Sequence, residues 1–332
     1  KLTRSLLVLN DLDERKRMMN IRKFDINDVI KNTANTFEVI CSKKNIDLEL
    51  LLSGRELFVE ADMEQIQQVL YNLLSNAIKF SPDNSTITLE TTEKNGKIFS
   101  VHQNRRFDVD FLAMKKLNDS GDLGELINIE SRIHGSRGIP SDWRGEKEHG
   151  GGMLLDWGVH LIDQILQIIP SKIDSVYCTF DHITNKEVDD GTKLHIYFED
   201  GKSAYIEVGT YNFIDLPRFY MRSMKGTAMI RDWRENCKVV KCKHWHESEV
   251  VPVETAAGLT KTMAPRDSIT VDEYELDRPV SDVHDYYRNF VKAIDGTATQ
   301  LVTHPQMRRV MKVMEAAFKS DELGQVVKFV ED

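Results

Sequence analysis

Glu148-His149-Gly150-Gly151-Gly152-Met153-Leu154-Leu155-Asp156-Trp157-Gly158-Val159-His160-Leu161-Ile162-Asp163 is the stretch on which the reading of this chain turns. Three glycines lead into an apolar run that carries three polar residues, Asp156, His160 and Asp163. In a helix, spacings of four and three place them on neighbouring turns of one face. A carboxylate one turn from an imidazole can orient it, fix its tautomer and raise its basicity, as a general acid/base requires. Apolar neighbours imply burial, and buried Asp and His are rare unless paired or functional. A satisfied structural Asp–His pair in a core helix fits the same spacing.

Downstream of this helix, which Pro170 stops, come extended segments at 173–180, 194–198, 204–208, 219–223 and 228–230. Glu199-Asp200-Gly201-Lys202 reads as a tight hairpin turn between two of them. Strands joined by hairpins predict an antiparallel sheet with helices packed on one face. One closing helix starts at Asp282 after Ser281 and ends at Gly296. The other follows Thr303, with Pro305 in its first turn and Gln306 completing a capping box. Upstream, a helix is expected over 109–117, a strand over 125–133, and a loop rich in Gly, Arg and charge over 135–149.

Composition sets outer bounds. The 332 residues leave room for two domains at about 150 residues each. Hydrophobic content of 41% with 29% charged residues suits a soluble globular chain. A net charge of −9 argues against nucleic-acid binding, since no basic stripe is available to neutralise phosphates. No apolar run approaches the roughly 20 residues a membrane span needs, and no signal peptide opens the sequence. Four scattered cysteines suggest no disulfide framework, so a cytoplasmic location is expected. The chain begins at Lys1 inside a helix-like stretch and reads as a piece of something longer.

Residues 97–332 resemble the Gfo/Idh/MocA oxidoreductases. The resemblance rests on Asn104-Arg105-Arg106-Phe107-Asp108, on Asp142-Trp143-Arg144, on the triple glycine with Asp156 to Asp163, and on the closing stretches 290–294 and 310–320. It implies a substrate domain whose open sheet mediates homo-oligomerisation. It also implies hydride transfer between NAD(P) and the hydroxyl or carbonyl carbon of a sugar, polyol or related compound. Carried over residue by residue, His160 is the acid/base and Asp156 its partner or a substrate contact. Arg106, Trp143, Arg144 and Asp163 lie at the substrate, Trp143 as a stacking wall. Two family features are missing from this sequence, the G-x-G-x-x-G turn that cradles the pyrophosphate and the Glu-Lys-Pro motif. The expectation is a chain inactive by itself, lacking its dinucleotide-binding domain.

The first hundred residues have a different character. Leu2, Leu6 and Leu9 form a helical seam. Asp25 is expected to cap a helix running to about residue 41, with Asp28 at N3 and Phe24 and Val29 as a hydrophobic staple. Leu48, Leu50 and Leu52 lie in an extended segment, and 57–59 in a second one. Asp62 caps a further helix whose apolar face is Ile66, Val69, Leu70, Leu73, Leu74, Ala77 and Ile78. A strand over 86–91, a type I′ turn at Asn95-Gly96 and a returning strand over 97–101 follow.

Here Asn72-Leu73-Leu74-Ser75-Asn76-Ala77-Ile78-Lys79-Phe80-Ser81 resembles the N box of sensor histidine kinases, in the GHKL ATPase fold. The resemblance implies a remnant Mg-ATP site, with Asn76 at the magnesium and Asn72 and Lys79 near the phosphates. It is truncated: the first histidine is His102, and no glycine-rich ATP lid follows the N box. Cys237, Cys242, His244 and His246 invite a zinc reading, but their spacing fits no standard knuckle, and no metal is expected.

The sequence therefore predicts an α+β chimera. A truncated kinase-like α/β sandwich at 1–96 (seam 1–20, partial ATPase domain 21–96) is fused to a substrate domain at 97–332. That domain has an open, mostly antiparallel sheet with helices on one face. Lys97 to Gln103 is expected to pair with the strand at 86–91. The alternative function is a signalling fragment with residual ATP binding and an interaction domain.

Overall fold

The computed structural model of the chain describes residues 20–91, 98, 100–243, 252–260, 266 and 268–330. The leucine seam at Leu2, Leu6 and Leu9, the Asn95-Gly96 turn, and His244 and His246 lie outside these residues, as do the side chains of Asn72 and Asn76. The chain divides into two compact units, Lys1–Lys97 and Ile98–Asp332.

The first unit runs β1 (Ile21–Asp25), α1 (Ile26–Asn35), α2 (Glu38–Lys44), β2 (Asp47–Leu51), β3 (Phe58–Asp62), α3 (Met63–Phe80) and β4 (Thr86–Glu90). Asp25 caps α1 by accepting from Asn27 N. Asp62 caps α3 by accepting from Glu64 N and Gln65 N. The single helix expected up to residue 41 is broken. Thr36 closes α1 by donating back to Ala34 and Thr33, and a new helix, α2, starts after Phe37. Phe37 is 2% exposed in a small core with Ala34, Cys41, Ile46, Leu74 and Ile78. The predicted apolar stripe of α3 is only half used, since Val69 and Leu73 stay 52% and 62% exposed. Two-stranded pieces join β1 to β3 antiparallel and β2 to β4 parallel. Of the strand expected over Lys97 to Gln103, residues 97 and 99 lie outside the described residues. Asp47–Leu51 is the partner of β4, and described residues 98 and 100–103 carry no strand.

The second unit begins with a 3-10 turn at Asn104–Phe107, then α4 (Val109–Ser120) and β5 (Leu126–His134). After 3-10 turns at Trp143–Gly145 and Lys147–His149 comes a π-helical turn, Leu154–Gly158, that runs into α5 (Val159–Ile168). Five strands follow: β6 (Ile173–Asp181), β7 (Gly191–Phe198), β8 (Ser203–Gly209), β9 (Phe219–Ser223) and β10 (Gly226–Ile230). Then come β11 (Cys237–Cys242), β12 (Val253–Thr255), β13 (Gly258–Thr260), β14 (Val271–Leu276), α6 (Asp285–Ile294), α7 (His304–Leu323) and β15 (Val327–Lys328). Nine strands form one sheet in the order β14-β11-β10-β9-β5-β8-β7-β6-β15, antiparallel throughout except for the β5–β8 pair. Strands β11 to β14 go beyond the sequence expectation; in β11 and β14, lysines and acidic residues mask the alternation that marks a half-buried strand.

Alternation places Ile129, Leu194, Ile196, Ile206 and Val239 in a core shared with Met114 of α4, Ile162 and Ile165 of α5 and Val313 of α7. These helices therefore cover one sheet face. The other face carries Arg132, His195, Tyr197, Tyr205 and Glu207, none of them fully buried. Thr303 and Gln306 close the capping box of α7, and Pro305 sits in its first turn. No described helix is long and apolar enough to cross a membrane.

Candidate functional site

The glycine run is dictated by crowding. Gly152 has φ +113°, and a Cβ there would stand 2.2 Å from Asp189 Oδ1; a Cβ on Gly151 would stand 2.3 Å from the Arg144 carbonyl. These close approaches let Gly152 N donate to Arg144 O, and Met153 N and Leu154 N donate to the main chain and carboxylate of Asp189. Asp189 is buried, also accepts from Thr192, and has its carboxyl pushed up by burial. It fixes the start of the signature helix. Sequence reasoning missed it; the acidic pair Asp189-Asp190 before an apolar strand is the signal that was available.

The first turn of that helix is π rather than α. A π turn is wider than 3.6 residues, so a spacing of four no longer aligns two side chains. Asp156 and His160 accordingly take different partners. Asp156 accepts from Arg144 Nε at 2.9 Å, and Arg144 Nη1 reaches Asp142 at 2.8 Å. The hydrogen bond to Asp156 leads the groups that raise the Arg144 pKa. Trp143 is 37% exposed, with the Arg144 guanidinium 4.7 Å from its ring centre. His160 Nδ1 instead meets Gln103 Oε1 at 3.1 Å. Burial and then the charge of Arg105 hold the imidazole below the ordinary histidine range, against the pull of Asp156 and Asp163. The expected Asp156–His160 pair is therefore replaced by two pairs, Asp156–Arg144 and His160–Gln103.

Arg106 and Asp163, expected at the substrate, are bound to each other. Nε and Nη2 of Arg106 donate to the two carboxylate oxygens at 2.7 Å each. Nη1 donates to Leu301 O and Gln306 Oε1. These contacts tie the 3-10 turn, α5 and the start of α7 together as a structural clamp. Of the N-box residues, Lys79 is exposed on α3, and its carbonyl accepts from Lys44 Nζ at 3.3 Å. Cys237 is buried on β11 against Met114; among the described residues no cluster of His, Cys, Asp and Glu could hold a metal.

Asp156 and Arg144 open onto a cleft of about 490 Å³ that also meets His134, Gly135, Trp157 and Trp233. Trp157 and Trp233 lie 5.8 Å apart, and Arg105 caps them with its guanidinium 4.3 and 5.9 Å from the two rings. The Trp157 ring meets His160 edge-on at 6.4 Å. A platform of two indoles beside an Arg–Asp pair gives an apolar face and polar donors and acceptors at once, which suits a polyhydroxylated ligand. Beneath it, fully buried Arg218 pairs with Asp110 at 3.0 Å and donates to Ser131 and Gln164, and Gln164 donates to Arg105 O. Neither Gln103, Trp233 nor Arg218 stands out in the sequence, and Arg105 only as part of a motif, because each comes from a different segment.

Residues 111–229 match the family description GFO/IDH/MocA C-terminal domain. The chain is 37% identical to the crystal structure of an NAD-binding protein from Listeria innocua, with a TM-score of 0.66 over 79% of this chain and 71% of that one. It is 24% identical over 291 residues to a scyllo-inositol 2-dehydrogenase (NADP(+)) of Bacillus subtilis, covering 86% of this chain and 79% of that protein. It is also 29% identical over 126 residues to the circadian input-output histidine kinase CikA of Synechocystis sp., covering 35% of this chain and 17% of the kinase.

Proposed function

The chain belongs to the GFO/IDH/MocA oxidoreductase family, and on that premise we propose that its second unit is the substrate-binding half of a sugar or polyol oxidoreductase. In this reading His160 is the acid/base at the reacting oxygen, and the cleft of Arg144, Asp156, Trp157 and Trp233 holds the hydroxyl-rich substrate. The observation that carries it is a half-buried, neutral-leaning imidazole beside an indole platform and an Arg–Asp pair. Asp156, held by Arg144, contacts substrate rather than relaying to His160.

NAD(P) is the cofactor this reading implies, and the described residues do not fit it. A pyrophosphate needs bare main-chain amides at a strand-to-helix joint. Both such joints in the first unit are closed by carboxylates: Asp25 takes Asn27 N, and Asp62 takes Glu64 N and Gln65 N. We therefore assign this chain proton handling and substrate binding only, without turnover on its own.

The first unit, in the same proposal, is a truncated kinase-like module ending near residue 96. The partial kinase similarity, the well-capped α3 and the unit boundary at Lys97 support it. The open sheet face, where His195 lies 4.6 Å from the Tyr205 ring and Arg132 lies over that ring, is the surface for a second copy. The proposal places the protein in the cytoplasm.

Calorimetry with scyllo-inositol, NADH and Mg-ATP tests the reading. Inositol is expected to bind and to lose affinity in Trp157→Ala and His160→Asn, with neither nucleotide binding. Saturable NADH binding would overturn the incomplete-site reading. Binding of ATP alone would favour a signalling fragment built on the kinase-like unit.

A further inference from the structure

We propose that Gln103 is a positioning residue that locks His160 in the tautomer protonated at Nδ1, leaving Nε2 as a bare base toward the substrate oxygen. The inference rests on His160 being the acid/base group. It starts from a chain of three side chains drawn from three segments. Met307 of α7 offers its thioether sulfur to Gln103 Nε2 at 3.4 Å, and Gln103 Oε1 meets His160 Nδ1 at 3.1 Å. A thioether has no proton to give and can only accept. The NH2 end of the amide must therefore face Met307, since the flipped amide would set its oxygen against the sulfur lone pairs. With its oxygen turned to His160, the amide can only accept there. Nδ1 must then carry the proton, and a neutral imidazole has its lone pair on Nε2.

Two further observations agree. Gln103 is 4% exposed, so water does not compete for its amide, and its own carbonyl is held by Arg106 N. Among the described residues Nε2 of His160 has no hydrogen-bond partner. The charged groups around the ring are Arg105 from the 3-10 turn and Asp156 and Asp163 from its own helix, the last two each bound to an arginine. The neutral imidazole favoured by burial and Arg105 is what the tautomer argument requires. The site then meets an alcohol as a base, with Nε2 taking the hydroxyl proton, and returns that proton in the reverse direction.

The test is a long-range nitrogen–proton correlation spectrum of the histidine side chains in the whole, nitrogen-labelled chain at about pH 7.5, above the ordinary histidine range. His160 is assigned by its absence in His160→Asn. The wild type is expected to show the Nδ1–H pattern. Gln103→Leu removes the acceptor and is expected to shift His160 toward Nε2–H. Gln103→Glu supplies a carboxylate acceptor and is expected to raise its titration midpoint by about one unit or more. An Nε2–H pattern in the wild type would overturn the proposal, as would a folded Gln103→Leu chain with unchanged tautomer. Should Gln103→Leu not fold, the wild-type spectrum and the Gln103→Glu midpoint decide. Nδ1–H in the wild type together with unchanged inositol binding in His160→Asn would leave the tautomer assignment standing and sink the acid/base role.

Discussion

Arg106 grips Asp163 with two parallel hydrogen bonds of 2.7 Å, its side chain 10% exposed and that of Asp163 2%. A bidentate pair at this depth matters most when intact, because either partner left alone is an uncompensated buried charge. Arg106→Ala and Asp163→Ala are each expected to destabilise the second unit by about 3–5 kcal/mol, measured by urea denaturation. The double variant Arg106→Met with Asp163→Leu should be well above either single one in stability. Single variants within about 1 kcal/mol of wild type would show that the pair is dispensable.

The capping box at the start of α7 is coupled to that clamp. Thr303 Oγ1 accepts from Gln306 N, and Gln306 Oε1 accepts from both Thr303 N and Arg106 Nη1. Thr303→Ala is expected to cost about 1 kcal/mol, an ordinary cap loss. Gln306→Ala should cost more, because Arg106 loses an acceptor as well. Equal losses in chemical denaturation would show that the Arg106 contact adds nothing.

Gly152 and Gly201 both have positive φ, but only Gly152 is crowded. Gly201→Ala, in open space, is expected to cost about 1 kcal/mol from backbone strain alone. Gly152→Ala adds a clash with the Asp189 carboxylate, which caps the helix, and should lower the melting temperature more than Gly201→Ala does. A smaller shift for Gly152→Ala would contradict the crowding argument.

Burial lowers the pKa of both His160 and His195, with Arg105 adding to the effect at His160. The unfolded chain therefore binds protons at a higher pH than the folded one. Stability from these groups is present above the ordinary histidine value of 6.5 and declines as pH falls from there toward the lowered folded values. Thermal melts from about pH 7.5 down to about 5.5 should show this decline, with a shallower slope in His160→Gln. An unchanged slope in that variant would mean His160 is not held neutral by the fold.

Whatever depends on neighbours along the chain is legible from the residues alone. Asp25, Asp62 and Thr303 can be read as helix starts because a cap acts over two or three residues. Strands β6 to β10 are legible from apolar alternation, and the Glu199–Lys202 turn from the chemistry centred on Gly201. The signature around His160 is legible as a motif. Its pairing is not. A π turn rotates Asp156 away from His160 toward Arg144, and burial commits Arg106 and Asp163 to each other. Gln103, Met307, Arg105 and Trp233 meet at the site from segments up to 204 residues apart. Such contacts are decided by packing of helices on the sheet, because hydrogen-bond direction and desolvation depend on which surfaces close over each other rather than on spacing along the chain.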